Sequence, residues 1–248
     1  MTELEILLAL AFAVIAMLYS SVGQAGGTGY LLAMTFAGVA PDHIRPFALL
    51  VNVLVGAIGI IQFGRAGHIR LANLIPFIVG SVPTVILAGR LHLTSPSYTL
   101  VLGILMFAAA MGMFAQAERA TEMDARAASV KLPVLPVVLA GVCVGFLAAT
   151  GTGIAVVILT PLILLAGWMP TRTALGTSVA LIWLHSVVIL ATMDKMPLPK
   201  GWPMWMVAAA VGGIIGSYYG ARKLSPRTLR WLLGAVLTIA AARLLLLT

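Results

Sequence analysis

The chain has 248 residues, of which 61% are hydrophobic and only 9% charged, and its mean hydropathy is +1.10. A soluble domain carries roughly a quarter charged residues, so this composition excludes a fully water-exposed surface and predicts an integral membrane protein. The net charge of +8 does not indicate nucleic-acid binding, because the basic residues stand in short breaks between apolar runs, where they orient a chain in the lipid bilayer.

Ten apolar segments follow one another in two sets of five. The first set covers roughly residues 5–22, 29–39, 46–63, 71–89 and 98–117, and the second roughly 132–149, 154–167, 173–193, 203–221 and 229–247. Most approach the length of about 20 residues that a spanning helix needs, whereas the second and seventh are short enough for half-helices. We therefore predict an all-α polytopic membrane protein with one membrane domain, divided into a first repeat (1–117), a charged cytoplasmic linker (118–131) and a second repeat (132–248).

The two sets correspond in sequence. "LTSPSYTLVLGILMFAAA" at 93–110 matches "KLSPRTLRWLLGAVLTIAAA" at 223–242, and "FAGVAPDHI" at 36–44 matches "LAGWMPTRT" at 165–173. A glycine cluster precedes each of the latter two stretches, "VGQAGGTGY" at 22–30 and "AATGTGIAV" at 148–156. Matches in the same order predict a duplication, which transporter folds commonly contain.

The basic residues predict that the second repeat is inverted. Each half has an odd number of crossings, whether its glycine cluster joins two spans or forms a re-entrant tip. With the N-terminus outside, inversion places ten basic residues in the cytoplasm: Arg65, Arg70, Arg119, Arg126, Lys131, Arg172, Arg222, Lys223, Arg227 and Arg230. Five lie outside: Arg45, Arg90, Lys195, Lys200 and Arg243. A parallel duplication gives almost no bias, so the positive-inside rule favours inversion.

Small residues recur every four positions in several segments. The rows are Gly212, Gly216 and Gly220; Gly141, Gly145 and Ala149; and Gly80, Thr84 and Ala88. Such rows predict close helix contacts within the chain, and they serve a homodimer interface equally well. The tryptophans Trp202, Trp205 and Trp231 flank segment ends and are predicted to be membrane-interface anchors.

The glycine clusters are the first candidate site. A non-helical backbone inside a membrane is tolerated where it is buried or lines a wet cavity, and a helix that begins there presents free N–H groups that bind anions. The predicted substrate-binding residues are Ser20, Ser21, Gln24, Gly26, Gly27, Thr28, Thr150, Gly151, Thr152 and Gly153. A purely structural kink is the open alternative. A nucleotide-binding loop is disfavoured, because no lysine is present and the preceding segment is a helix candidate.

The third and eighth segments add further interior polar groups to the candidate site, namely Asn52, Thr177, Ser178 and His185. Ser178 and His185 are two helical turns apart, about 10 Å, which is too far for a general base to reach a serine nucleophile. We therefore expect no enzyme. His185 remains open as a substrate ligand, as the group that binds a coupling proton, given its ordinary pKa near 6.5, or as a hydrogen bond to a neighbouring helix.

The acidic residues are informative by their position. All seven lie in the N-terminus or in connections, whereas a carboxylate within the membrane is the usual mark of a cation pathway. An anionic or neutral substrate is therefore favoured. Arg45 and Arg172 each follow a G-x-x-P corner and are predicted at opposite pathway entrances, or serve as topology anchors. The single cysteine, Cys143, excludes a thiolate metal cluster, and we expect no cofactor.

One stretch of the second repeat carries a family signature. "GTGIAVVILTPLILLAGWMPTRTALGTSVA", residues 151–180, resembles the sulfite exporter TauE/SafE family, with its glycine cluster, apolar run with a proline, G-x-x-P corner and A-x-G-T-S. The first repeat resembles a degraded copy, with "PFAL" at 46–49 where A-x-G-T-S would fall. The resemblance implies transport of small sulfur-containing or organic anions, such as sulfite, thiosulfate or sulfoacetate, across a bacterial inner membrane.

Together these observations predict a multi-pass secondary transporter of a small anion that works by alternating access between two inverted repeats. Its expected partners are the anionic substrate and the lipid bilayer, with a coupling proton and a homodimer left open and no nucleic acid. A channel for small anions or neutral solutes is the alternative.

Overall fold

The computed structural model describes residues 3–88, 96–149 and 155–246, and within these ranges the chain is helical and contains no strand. The predicted all-α polytopic fold is confirmed, since each predicted apolar segment coincides with a helical element. The elements are α1 (Glu3–Ser21), α2 (Gly27–Phe36), α3 (Pro41–Arg65), α4 (Leu71–Ala88), α5 (Pro96–Ala117), α6 (Ala120–Ala128), α7 (Val134–Ala149), a 3₁₀ turn (Ala155–Ile158), α8 (Leu159–Leu165), α9 (Thr171–Ala191), α10 (Trp202–Arg222) and α11 (Pro226–Leu246).

Helices long and apolar enough to cross a membrane make up most of the described chain. They are α1, α3, α5, α9, α10 and α11, with α4 and α7 as shorter apolar helices. Large apolar side chains such as Leu7, Val79 and Leu135 are more than half exposed, as expected for positions that face lipid. The protein is therefore built as a multi-pass bundle.

Helix α1 packs along α10 through the predicted row of glycines. A Cβ added to Gly212, Gly216 or Gly220 would collide with the backbone carbonyl of Ala13, Met17 or Ser21, respectively. The residue numbers of the contacting positions increase in the same direction along both helices, so α1 and α10 run parallel. Because glycine has no side chain, the two backbones approach closely here, which confirms the predicted close packing.

The corresponding pair in the other half is α4 with α7. A Cβ on Gly141 would meet Phe77, and one on Gly145 would meet Ser81 and Thr84, so this pair is also parallel and equally close. By position in the chain, α1 of the first half corresponds to α7 of the second half, and α4 corresponds to α10. The α1–α10 contact therefore corresponds to the α4–α7 contact.

Helices at equivalent positions of the two halves run antiparallel where they pack together. In the α3–α9 pair, Gly56 faces Trp183 while Gly59 faces Val179. In the α5–α11 pair, Gly103 faces Leu245 while Gly234 faces Phe114. A repeat related by an axis along the membrane normal would keep equivalent helices parallel. The antiparallel arrangement supports the inverted-repeat hypothesis.

The two G-x-x-P corners have the same local geometry. Gly38 and Gly167 adopt left-handed φ angles of 70° and 66°, which glycine adopts without a steric penalty. In each corner the next residue donates its backbone N–H to a carbonyl five residues earlier, Val39 to Met34 and Trp168 to Ile163, both at 3.1 Å. This is the Schellman helix stop, and it turns the chain into α3 in one half and α9 in the other.

The bundle has two ends. We call the end with the starts of α1, α3 and α10 the N-terminal face, and the end with α6, the ends of α3 and α10 and the starts of α4, α9 and α11 the linker face. The ten basic residues predicted to be cytoplasmic all lie at the linker face, whereas four of the other five lie towards the N-terminal face, and Arg90 lies outside the described residues. This asymmetry supports a cytoplasmic linker face.

Candidate functional site

The first glycine cluster breaks the chain between α1 and α2. Gly23 has a φ of 67°, and it donates its N–H to Ser20 while Gln24 donates to Tyr19, which again is a Schellman stop. A side chain on Gly23 would collide with the backbone of Leu175 in α9. The break is therefore buried against α9 of the other half of the chain, as predicted for an irregular backbone in a membrane.

Helix α2 begins directly after this break. Gly26 is its N-cap with a φ of 96°, and the first bond of the helix runs from the Tyr30 N–H to the Gly26 carbonyl, at 3.0 Å. The N–H groups of Gly27, Thr28 and Gly29 precede this bond, so they have no carbonyl one turn back within the helix. They form a donor-rich, positive helix end of the kind that attracts anions.

A small cavity of about 10 Å³ lies at this helix end, which is room for about one water molecule. Its described lining residues are Tyr19, Gln24, Ala25, Gly26, Gly27, Thr28, Asn52, Val157 and Ile182. Side chains from α1, α3 and α9 thus meet the α1–α2 break and the 3₁₀ turn before α8. None of these lining residues is acidic, so no side chain among them carries a negative charge.

The polar side chains around the cavity are buried and incompletely hydrogen-bonded. Gln24 and Asn52 are 1% and 7% exposed, and Gln24 Nε2 lies 2.9 Å from Thr160 Oγ1 of α8. Gln24 Oε1 and Asn52 Oδ1 have no hydrogen-bond partner among the described residues. A side-chain amide turned by 180° exchanges its oxygen for its N–H₂ group, and Thr160 can then donate to Gln24. Both amides are therefore able to present donors to the cavity.

The Tyr19 hydroxyl is a further donor. Thr28 Oγ1 donates to Tyr19 Oη over 3.1 Å, which leaves the Tyr19 proton available. Arg243 of α11 lies within electrostatic range of the same hydroxyl, and its Nη1 atom is buried with no hydrogen-bond partner among the described residues. A positively charged side chain therefore lies within electrostatic range of Tyr19, one of the residues that line the cavity.

Several predicted residues lie elsewhere. Ser20 Oγ donates to the carbonyls of Ala16 and Gly213, so it joins α1 to α10. Ser21 Oγ donates to the Leu18 carbonyl within α1. Gly26, Gly27, Thr28, Gln24 and Asn52 are brought together at the cavity. Thr150, Gly151, Thr152 and Gly153 lie outside the described residues.

The predicted polar residues of α9 are buried, but they are not among the described residues that line the cavity. Thr177 Oγ1 lies 3.7 Å from the Met169 sulfur, and Ser178 Oγ has no partner in the described part of the chain. His185 Nε2 lies 2.8 Å from Ser81 Oγ of α4. Of the three roles left open for His185, this contact supports the hydrogen bond to a neighbouring helix, and its roles in substrate or proton binding stay predictions.

The linker face is tied together by polar contacts around the end of α10. Arg172 Nη2 donates to the carbonyls of Arg222 and Leu224, at 3.4 and 2.8 Å, and Arg222 Nη1 donates to Gln62 Oε1 at 2.8 Å. His68 Nε2 lies 3.1 Å from the Ala221 carbonyl. Cations near a helix C-terminus stabilise its free carbonyls. Arg172 thus holds α9 to α10, and Arg45 lies half-buried at the start of α3 on the opposite face.

His68 gives this end of the protein a pH dependence. Burial and the charge of Arg172 lower the pKa of His68 below its ordinary value of 6.5, against the raising effect of the Ala221 carbonyl. As the pH falls through 6.5, the unfolded chain binds a proton that the folded chain does not, so stability is lost. We expect the thermal midpoint of purified protein to fall between pH 7.5 and 5, and to fall less in His68→Gln. Parallel curves for the two proteins would contradict this.

Sequence reasoning missed three residues near the cavity: Tyr19, Thr160 and Arg243. Tyr19 and Thr160 gave no signal, because a single tyrosine or threonine in an apolar run is common. Arg243 did give a signal, because it lies within the last apolar segment, where an arginine side chain either faces the bundle interior or extends to the membrane surface.

The prediction that Trp205 is an interface anchor was wrong: its side chain is 3% exposed, and its indole N–H donates to the Glu5 carbonyl at 3.2 Å.

The helical bundle, its lipid-facing apolar surface and its buried polar cavity define a multi-pass membrane transporter. The sequence model of the sulfite exporter TauE/SafE family matches residues 7–244, so the chain belongs to this family, which is a family of transporters rather than enzymes. It is 34% identical over 244 residues to the probable membrane transporter protein y4hK of Sinorhizobium fredii (strain NBRC 101917 / NGR234), covering 96% of this chain and 97% of that protein. No solved structure matches. These findings are consistent with the bacterial inner membrane.

Proposed function

We propose that the protein carries a small sulfur-containing or organic anion, such as sulfite, thiosulfate or a sulfonate like sulfoacetate, across the membrane by alternating access. The observation that carries this proposal is the buried cavity where the free N–H end of α2 meets Gln24, Asn52 and Tyr19. An oxyanion needs several hydrogen-bond donors, and helix N-termini supply them without a buried lysine. The charge of Arg243 near Tyr19 adds to the attraction.

The size of the cavity supports a mechanism with moving parts. At about 10 Å³ it holds about one water molecule, whereas a sulfur oxyanion has three or more oxygen atoms around its sulfur. The anion therefore enters only after the surrounding helices separate. The two halves, packed through smooth glycine faces, are suited to rocking against each other around a central site.

The site also argues against hydrolysis as the main activity. Ser178 and His185 share α9, yet His185 bonds Ser81 of α4 and Ser178 has no partner within the described residues. A serine nucleophile requires a base within hydrogen-bond reach. We therefore infer that these side chains do not form a catalytic pair.

The first test is ligand binding by purified protein. A ligand that binds only the folded state raises the thermal midpoint, so sulfite, thiosulfate or sulfoacetate should raise it at concentrations where chloride and the zwitterion taurine do not. If none of the three anions raises the midpoint, the proposal fails. Saturable counterflow in proteoliposomes distinguishes a carrier from a channel, because a channel does not exchange bound substrate.

The predicted variant is Asn52→Asp, which places a negative charge in the cavity with almost no change of shape. Like charges brought together cost several kcal/mol, so we expect the active anion to bind at least about tenfold more weakly. The matched control is Asn73→Asp at the start of α4, where Asn73 is half-buried and does not line the cavity. Equal binding by the Asn52→Asp and Asn73→Asp proteins would contradict the assigned site.

A further inference from the structure

A cleft of about 480 Å³ opens on the N-terminal face. It lies between the start of α1, the corner before α3 and the loop before α10, and its lining includes Glu5, Val39, His43, Lys200 and Trp205. Lys200 and His43 offer N–H donors at this opening. The Trp205 indole, held by the Glu5 carbonyl at 3.2 Å, is part of the wall that separates the cleft from the protein interior.

Four aromatic rings from four helices fill the space beyond Trp205. The Trp205 ring lies 5.7 Å from Phe12 and 5.8 Å from Phe47, measured between centroids. Phe12 stacks on Tyr30 at 4.7 Å. All four side chains are at most 3% exposed. We call Phe12, Tyr30, Phe47 and Trp205 the ring layer.

The ring layer ends at the central cavity. A Cβ added to Gly26 would lie 2.7 Å from both Cζ and the hydroxyl oxygen of Tyr30, and Gly26 lines the cavity. The cleft, the ring layer and the cavity are therefore consecutive along one line of contacts.

The Tyr30 hydroxyl is anomalous in this position. It is fully buried and has no hydrogen-bond partner in the described part of the chain. A buried polar group without a hydrogen-bond partner is destabilising, so phenylalanine would serve a purely structural layer better. A hydroxyl that lacks a partner in the closed form, beside the cavity, is placed to find one when the layer opens.

Resting on the proposed function, we propose that the cleft is the mouth of the anion pathway on the N-terminal face, that the ring layer is its barrier, and that the Tyr30 hydroxyl is the first donor an oxyanion meets inside it. The close-packed, buried rings offer an anion no room for its water shell, and a charge that loses its hydration without new partners is costly to transfer, so an intact layer blocks an anion. Passage then requires the rings of α1 and α2 to separate from those of α3 and α10.

Cysteine accessibility tests the barrier without relying on transport. Cys143 is the only cysteine of the chain and is exposed, so it is first replaced by serine. Val39→Cys then reports on the cleft and Ala25→Cys on the cavity, each labelled with an anionic methanethiosulfonate in lipid nanodiscs. Val39→Cys should react rapidly and Ala25→Cys slowly, because Ala25 is 1% exposed.

Adding Phe12→Ala should accelerate labelling of Ala25→Cys by at least about tenfold, since a minor open state is populated at 10% or less. Phe12→Leu serves if the alanine variant does not fold. The control is Phe114→Ala, which removes a ring of α5 whose centroid lies 5.0 Å from that of Trp231 in α11, in a tilted arrangement. If Ala25→Cys is labelled no faster with the Phe12 variants than with Phe114→Ala, the ring layer is not the barrier. This result does not depend on the identity of the substrate.

The hydroxyl is tested separately with Tyr30→Phe. A hydrogen bond to a charged group contributes about 1.5–3 kcal/mol, so uptake of the anion that raises the thermal midpoint should fall roughly tenfold or more, while labelling of Ala25→Cys stays unchanged. Unchanged uptake would overturn the role of the hydroxyl. If labelling accelerates as expected but no sulfur oxyanion binds, the barrier stands and the proposed substrate class fails.

Discussion

Gly216→Val should abolish recovery of folded protein, and Gly216→Ala should lower its thermal midpoint by roughly 3–10 °C. An added methylene in a packed interior costs about 1–3 kcal/mol, and 1 kcal/mol shifts the midpoint of a chain of this size by about 2–4 °C. At Gly216 the added carbon would meet the Met17 carbonyl and the Ser20 hydroxyl. A backbone carbonyl of α1 cannot rotate away, so α1 itself must move. The measurement is monodispersity by size-exclusion chromatography, followed by a thermal melt.

Matched substitutions separate this effect from helix propensity. Gly64 is exposed near the end of α3, and a Cβ there meets nothing within 4 Å, so Gly64→Val should leave the protein folded. Gly145 of α7 makes a similarly close approach in the corresponding α4–α7 pair, where an added Cβ would meet Ser81 and Thr84 of α4. If the halves are related as the contacts suggest, Gly145→Val should be as damaging as Gly216→Val. A stable Gly216→Val protein would show that the α1–α10 contact is not essential.

The sequence predicted the elements well because their signals are local. Apolar runs are bounded by charge or glycine, and the two corners at Gly38 and Gly167 have the glycine and proline that a Schellman stop and a new helix require. The glycine rows were also readable, since a residue without a side chain every four positions leaves a smooth stripe. Each of these features depends on a few neighbouring residues.

Features that depend on which helices meet were not readable. Ser20 was predicted in the site, but its hydroxyl bonds the Gly213 carbonyl of α10. The reason is that α1 packs mainly along α10, a helix far from it in the sequence. Trp205 was predicted at the membrane interface, but the rings of Phe12 and Phe47 surround it. A single sequence records the period of a helix face and not the identity of the partner that covers it.

The cavity shows both cases together. Gln24, Gly26 and Thr28 were found because a polar, glycine-rich break in an apolar run is unusual. Thr160 and Arg243 reach the same region from helices more than a hundred residues away, and no local pattern connects them to Gln24. Predicting them requires knowing how the two halves of the chain pack together, which is set by contacts over the whole bundle.

Arg230→Met should destabilise the protein by about 3–5 kcal/mol, because removal of one member of a buried ion pair leaves the other charge without its partner. The Arg230 and Asp124 side chains are 2% and 16% exposed and lie 3.2 Å apart. Arg230 also donates to Gln116 at 2.8 Å and to Thr171 at 3.2 Å, and Thr171 donates to Asp124 at 2.7 Å. This network joins α5, α6, α9 and α11, so its loss should also free the linker.

The chain offers a close control one turn earlier on the same helix. Arg227 pairs with Glu118 at 2.6 Å, but the two side chains are 60% and 57% exposed, and exposed pairs contribute about 0–1 kcal/mol. Arg227→Met should therefore leave the thermal midpoint almost unchanged and should not increase tryptic cleavage within 118–131. Arg230→Met should lower the midpoint and increase that cleavage. In a double-mutant cycle, Asp124→Leu should recover part of the loss in Arg230→Met, because it removes the carboxylate that was left unpaired. If the losses of stability in Arg230→Met and Asp124→Leu simply add, the ion pair does not hold α6, which is then held by packing alone. The linker could in that case detach without disturbing the start of α9, where the predicted pathway entrance lies.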